Sequence, residues 1–168
     1  MDEIARIYVS TYGNYSEGNL DGKWITLPMD EDDLRAELAD AIFGNDPEFM
    51  IQDYEGFDLI TGDMLNRAFG ESANIIEMNA LFNELVDAGR VEVFFALVES
   101  DSPEAARDSW ENAELYENRT LEELVSEWIE DGIFSVETLL NYIDTEALAR
   151  DVSFDGYDET SFGVLAPR

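Results

Sequence analysis

Arg6-Ile-Tyr-Val-Ser-Thr-Tyr12 is the stretch on which the reading of the fold turns. Its side chains alternate, with Ile7, Val9 and Thr11 on one face, the period of a half-buried β-strand. The following Gly13–Gly22 is rich in Gly and Asn and reads as a loop. Lys23–Leu27 predicts a second strand, so the two runs form an antiparallel pair. Asp30 can cap a helix running to about Phe43, with Leu34, Leu38, Ala41 and Ile42 as its buried stripe and Gly44 as its stop. Phe49–Tyr54 is a candidate third strand.

Beyond this first region, residues 1–60, the chain changes character. The middle region, 61–90, is helical. Thr61 can start a short helix that ends at Gly70, and Asn74 with Glu77 resembles a capping box with Asn in place of Ser or Thr. The helix that follows carries Ile75, Met78, Phe82, Leu85 and Val86 and stops at Gly89. The last region, 91–168, is mixed. Val91–Val98 is strand-like, and Ser102-Pro103 opens a helix because Pro is tolerated in a first turn. Trp110–Asn118 fits no single element. Thr120-Leu-Glu-Glu123 is a capping box whose helix sets Leu121, Leu124, Val125, Trp128 and Ile129 on one face. Short helices are expected over Val136–Tyr142 and Thr145–Val152, and Ser161–Leu165 could close a sheet. The fold class expected is therefore α+β.

Charge dominates the composition. Forty Asp and Glu stand against nine Lys and Arg, giving a formal net charge of −31 in 168 residues. At one negative charge per 1.7 Å of B-DNA axis, that equals the phosphates of about 15 base pairs. The acids are spread along the chain, 21 in residues 1–98 and 19 in residues 99–168, so they decorate folded elements and do not form a tail. At 45% hydrophobic, the chain has material for a core despite that charge.

The missing residue types narrow the function. With no Cys and no His there is no disulfide, thiolate zinc site, cysteine nucleophile or imidazole base. Lys23 is the single lysine, no Gly-rich phosphate loop is present, and no stretch fits a calcium-binding loop. Asp53 and Glu55 could be read as a glycosidase pair, but nothing in the sequence separates their pKa values as that chemistry requires. Catalytic, cofactor-binding and metal-binding residues are not expected, so the reading is of a non-enzyme. Trp24, Trp110 and Trp128 would suit base stacking in a basic protein, yet this charge repels nucleic acid and core packing is expected instead. With neither a signal peptide nor an apolar run of membrane-spanning length, the expectation is a cytoplasmic protein without membrane contact.

The candidate binding surface is distributed. Asp30-Glu-Asp-Asp33 favours a helix N-terminus by about 0.3–1 kcal/mol per acid. Asp32, Asp33, Glu37 and Asp40 of that helix are candidate partner-binding acids, as are Glu122, Glu123, Glu127, Glu130 and Asp131, which fall off the apolar stripe of the later helix. Acids on rigid elements can face a partner without the entropy cost of ordering a loop. A merely solvated, solubilising face is the competing reading. Arg150, amid acids, reads as a structural ion-pair partner or as an organiser of the C-terminal segment.

Arg6-Ile-Tyr-Val-Ser-Thr-Tyr-Gly13 followed by Gly22-Lys-Trp-Ile25 resembles the N-terminal signature of the ArdA antirestriction proteins. Asp46-Pro-Glu-Phe-Met-Ile-Gln-Asp-Tyr-Glu55 resembles their next block, and Asn141-Tyr-Ile-Asp-Thr-Glu-Ala-Leu-Ala-Arg-Asp151 a segment near their C-terminus. The blocks run in the family's order over nearly the whole chain. This resemblance implies an elongated homodimer of three small subdomains (mixed α/β, helical, mixed α/β), whose carboxylates imitate the phosphates of bent DNA. It implies occupancy of the DNA groove of type I restriction–modification enzymes in a bacterial cytoplasm, on behalf of a mobile genetic element. The family's antirestriction motif, linked to dimer contact, corresponds here to roughly residues 128–151, and Leu139, Leu140, Tyr142, Ile143 and Arg150 are the candidate contact residues. Thr145 departs from the pattern, where an aromatic residue is expected. The alternative class is an acidic interaction module or chaperone that binds other basic DNA-binding proteins.

Overall fold

A computed structural model describes residues 3–19, 21–41, 48–160 and 163–167. Within them the protein is a mixed α and β structure, as the α+β reading expects. By its internal packing the chain divides into two units, Met1–Leu115 and Tyr116–Arg168.

The first unit is built on the strand that opens the sequence. β1 (Ala5–Thr11) lies between β2 (Lys23–Leu27) and β3 (Phe49–Gly56) in an antiparallel sheet of order β2-β1-β3. The register is fixed by burial: Ile7 pairs with Ile25 on one side and Tyr54 on the other, so apolar side chains share one face. A register shift between Tyr8 and Val9 leaves Gln52 as the extra residue of a β-bulge. Between β1 and β2 the structure places one short helix, α1 (Tyr12–Ser16), which the sequence reading took as loop. Thr11 causes it, since its hydroxyl accepts from Asn14 N–H as an N-cap.

Helix α2 (Glu31–Ala41) starts where Asp30 Oδ1 accepts from Asp32 N–H at 2.9 Å. Its Leu34 and Leu38 are buried as expected, whereas Ala41's side chain and residues 42–44 lie outside the described part. α3 (Gly62–Phe69) is capped by Thr61 and ends at Gly70. The chain turns tightly into it: a Cβ on Gly62 would stand 2.3 Å from the Tyr54 carbonyl oxygen, so the position admits only glycine without a shift. α4 (Ile75–Ala88) begins at the Asn74 cap and ends at Gly89, whose φ of +64° is the left-handed C-terminal geometry.

Residues Val91–Ser100 form α5, not the strand expected over Val91–Val98. Val91, Phe94, Phe95 and Val98 are buried, which is the i, i+3, i+4, i+7 spacing of a helix face. The β-branched and aromatic composition suggested a strand, but packing overrides propensity. α6 (Pro103–Ser109) follows, with Ser102 as its cap and Pro103 in its first turn. One core joins the buried sheet face to these helices through Ile7, Val9, Leu34, Leu65, Phe82 and Phe94. The region boundaries expected near 60 and 90 fall inside this unit.

The second unit contains α7 (Leu121–Glu130), α8 (Val136–Leu140), α9 (Thr145–Ser153) and a hairpin of β4 (Asp158–Thr160) with β5 (Gly163–Leu165). The terminal strand expected over Ser161–Leu165 thus pairs only with β4, in a sheet of its own, and residues 161 and 162 lie outside the described part. The capping box of α7 is complete: Thr120 Oγ1 accepts from Glu123 N–H at 3.2 Å and Glu123 Oε2 accepts from Thr120 N–H at 2.8 Å. Trp128 is half-buried, its ring 6.3 Å from both Tyr116 and Phe134. Among the described residues of this unit Leu124 is the one buried hydrophobic side chain.

Candidate functional site

Exposed acids lie along the whole described chain, and the candidate partner-binding acids stand on two helices, one in each unit. On α7, five acids (Glu122, Glu123, Glu127, Glu130 and the C-terminal Asp131) are all exposed. At about 100° per residue they occupy one half of the helix circumference, opposite Leu121, Leu124, Val125, Trp128 and Ile129. That apolar stripe is only partly covered, with Leu121 74% and Ile129 45% exposed. Thr120 donates to Glu123 through its backbone N–H and its hydroxyl, and Arg119 lies nearby; together they hold the Glu123 carboxyl below its ordinary pKa. Glu127 pairs with Arg119 at 2.9 Å.

On α2 the five acids are Glu31, Asp32, Asp33, Glu37 and Asp40. Asp32, Asp33 and Asp40 are exposed and Glu37 is half-buried. Lys23 reaches across from β2 to Glu37 at 2.5 Å and Asp40 at 3.6 Å, and these partners raise the Lys23 pKa, the Glu37 hydrogen bond most. Arg35 pairs with Glu31 one turn away, at 2.5 Å. Two of the four α2 acids read from sequence as binding residues are therefore also ion-pair partners of the single lysine. Sequence reasoning missed this because fourteen or more positions separate them, and only the β2–α2 packing brings them together.

Six of the eight described cations hold a partner within the chain. Arg6, Lys23, Arg35 and Arg119 hold carboxylates. Arg6 also lies 5.0 Å over the Trp24 ring, and Trp24 packs on Tyr8. Arg90 donates to the carbonyls of Trp110, Glu111 and Ala113, and Arg107 to that of Ala68 at 2.9 Å while stacking on Phe69. Arg67 and Arg150 stand in the last turns of α3 and α9, where a cation favours the helix dipole. The ion pair expected of Arg150 is not formed among the described residues: it is exposed and lines a cavity with Glu146, Ser153 and Tyr157.

The candidate contact residues of the second unit are open. Leu140, Tyr142 and Ile143 are exposed, Tyr142 by 83%. Leu139 is half-buried and lines an apolar cavity of about 370 Å³ with Val125, Ile129, Phe134, Thr138 and Tyr142. Of the three tryptophans, Trp110 is buried and the other two are half-buried against aromatic neighbours.

The carboxylate pair that could be read as catalytic has no such geometry. Asp53 and Glu55 are both exposed, Glu55 is held by Arg6 at 2.8 Å, and Asp53 accepts from Tyr54 N–H at 2.8 Å. Among the described residues no three acids converge to hold a metal ion, and no helix is long and apolar enough to cross a membrane.

No curated protein matches the chain. A family model described as antirestriction protein (ArdA) matches residues 7–165 of the 168. That family comprises inhibitors, not enzymes, and is directed at restriction enzymes. The chain therefore belongs to the ArdA family of antirestriction proteins.

Proposed function

We propose that the protein acts as a folded mimic of DNA that occupies the DNA-binding groove of type I restriction–modification enzymes and inhibits them stoichiometrically. The observation that carries this reading is the charge spacing on the two acidic helices. Residues 122–131 rise about 13.5 Å at 1.5 Å per residue, so five carboxylates stand about one per 3.4 Å. A single strand of B-DNA carries one phosphate per 3.4 Å of axis. Residues 31–40 have the same length and also carry five acids. With Lys23 and Arg35 paired to α2 and Arg119 to α7, the net charges are three and four, so a basic groove meets on each helix a linear charge density somewhat below that of one DNA strand. The protein offers no phosphodiester to cut and no base to methylate, so binding is inhibition.

Dimerisation completes the reading. A unit of 53 residues with a single buried apolar side chain among those described lacks a core of its own. The open face of Leu140, Tyr142 and Ile143, beside the Leu139 cavity, fits a second copy of the chain. The distributed acids Asp32, Asp33, Glu37, Asp40, Glu122, Glu123, Glu127, Glu130 and Asp131 then form the partner surface. The elongated three-part layout, the bacterial cytoplasm and carriage on a mobile element belong to the same proposal.

The test is competition against duplex DNA for a purified type I enzyme. Displacement at one dimer per DNA site, weakening as salt rises, is expected. Inhibition that added DNA does not relieve would overturn groove occupancy. Equal affinity for unrelated basic DNA-binding proteins would favour the acidic-chaperone alternative.

A further inference from the structure

The acidic helix α2 is tied at its start by a side chain that carries no charge. Asn79, on α4, is 2% exposed and fifty positions from its partner. Its Oδ1 accepts from Met29 N–H at 2.9 Å, and its Nδ2 donates to the Met29 carbonyl at 2.9 Å. The same carbonyl also accepts from Asn83 Nδ2 at 3.1 Å. Asn79 thus pairs with both polar groups of one backbone residue, as a neighbouring β-strand would. Met29 stands two residues before α2, directly ahead of Asp30, whose carboxylate caps the helix. At the far end, Lys23 holds Glu37 and Asp40.

We propose that Asn79, supported by Asn83, is a positioning residue for inhibition: it fixes where α2 presents Asp32 and Asp33 to the basic groove. The inference rests on the groove-occupancy reading and adds to it a buried neutral residue that touches no partner. Its physical basis is that five acids on one short helix repel one another and their neighbours. Five acids less the cations of Arg35 and Lys23 leave α2 with three net negative charges. An acidic side chain buried in place of Asn79 would add to that repulsion and pay for its own desolvation, whereas a carboxamide supplies one donor and one acceptor without charge. The bond geometry is directional and short-range, so it sets the angle of entry into the helix. The burial of Leu34 and Leu38 supplies adhesion without that precision.

A double-mutant cycle tests this. Asn79→Leu is placed in three backgrounds of the full-length protein: wild type, D32N/D33N on α2, and E122Q/E130Q on α7. Inhibition of a type I enzyme is the readout. In the wild-type and α7 backgrounds Asn79→Leu is expected to weaken inhibition about two- to threefold, no more than loss of the two carboxylates it positions, and in the D32N/D33N background not measurably, because coupled residues depart from additivity. Hydrogen exchange should quicken at Met29 and the first turn of α2 while β1 stays protected. A general loss of structure would cost the same factor in all three backgrounds, and that result overturns the proposal. So does unchanged exchange at Met29. If D32N/D33N and E122Q/E130Q both leave inhibition intact, groove occupancy falls with it. Should Asn79→Leu not fold, Asn83→Ala removes one donor to the same carbonyl and must show the same pattern at smaller amplitude; equal cost in every background again refutes positioning.

Discussion

Replacing Arg90 by Met makes the chain more acidic, and on charge alone it would be a slightly better polyanion. The structure predicts that it will be much less stable. Arg90 Nε and Nη2 donate to Trp110 O at 3.1 and 2.7 Å, and Nη2 also reaches the carbonyls of Glu111, at 3.3 Å, and Ala113. The Trp110 and Ala113 bonds are partly buried, whereas the one to Glu111 is exposed and water can replace it. A bond from a charged donor contributes about 1.5–3 kcal/mol and an orphaned buried carbonyl costs about 1–3 kcal/mol. Two such carbonyls, half-solvated, put the loss at about 3 kcal/mol. The opposing electrostatic gain for binding is small: a unit charge acting at 10 Å in water is worth about 0.4 kcal/mol before screening. Arg35→Met is the matched control, with the same charge change but only an exposed i, i+4 pair to lose, worth about 0.3–0.5 kcal/mol. Urea unfolding followed by tryptophan fluorescence would compare the two. If Arg90→Met lay within about 1 kcal/mol of Arg35→Met, the assignment of Arg90 to the carbonyls would be wrong.

Three further outcomes follow from the same structure. Leu140→Arg with Tyr142→Arg should prevent the proposed dimer from forming, read by light scattering at moderate salt against the wild type, while circular dichroism retains the first unit; a dimer that persists would place the contact elsewhere, and a monomeric wild type would refute the dimer itself. Neutralising Glu122, Glu127 and Glu130 singly to Gln should change inhibition by only a few tenths of a kcal/mol each, and together progressively, as expected of exposed charges; total loss from one folded variant would contradict a distributed surface. The Glu123 carboxyl is held below its ordinary pKa by Thr120 and Arg119, so its contribution to α7 is present above about pH 4.3 and is lost as pH falls through the lower folded value. An acid titration of helicity should therefore show the stability difference between wild type and Glu123→Gln shrinking below that pH, and a constant difference would refute the capping role.

Local signals were legible in the sequence where one residue decides an element. Thr61, Asn74, Ser102 and Thr120 were each read as helix starts, and each accepts a backbone N–H as a cap. The three strands of the first sheet were legible from alternation. Val91–Val98 was not, because a short apolar run rich in Val and Phe satisfies both periods, and only the burial of Val91, Phe94, Phe95 and Val98 together decides for helix. The acid faces could be drawn from periodicity, but their cost could not. Lys23 on Glu37, Arg119 on Glu127 and Asn79 on Met29 are tertiary contacts, and no spacing rule announces them. Periodicity sets the α7 stripe on one face but does not tell how far it is covered: Leu121 and Ile129 are open, since the second unit has too little mass to cover them.

The excess of acids over cations has a kinetic consequence. A surface with a large excess of one sign needs no particular facing to be drawn toward an oppositely charged groove, so capture can begin from almost any approach. An inhibitor of the proposed kind competes in time as well as in affinity, because an enzyme already committed to its substrate is no longer available. Speed of arrival, more than length of stay, is then the quantity such a molecule gains from carrying so few cations. Stopped-flow association with a type I enzyme should slow steeply as salt is raised; a rate indifferent to salt would show that haste is not what the acidic exterior provides.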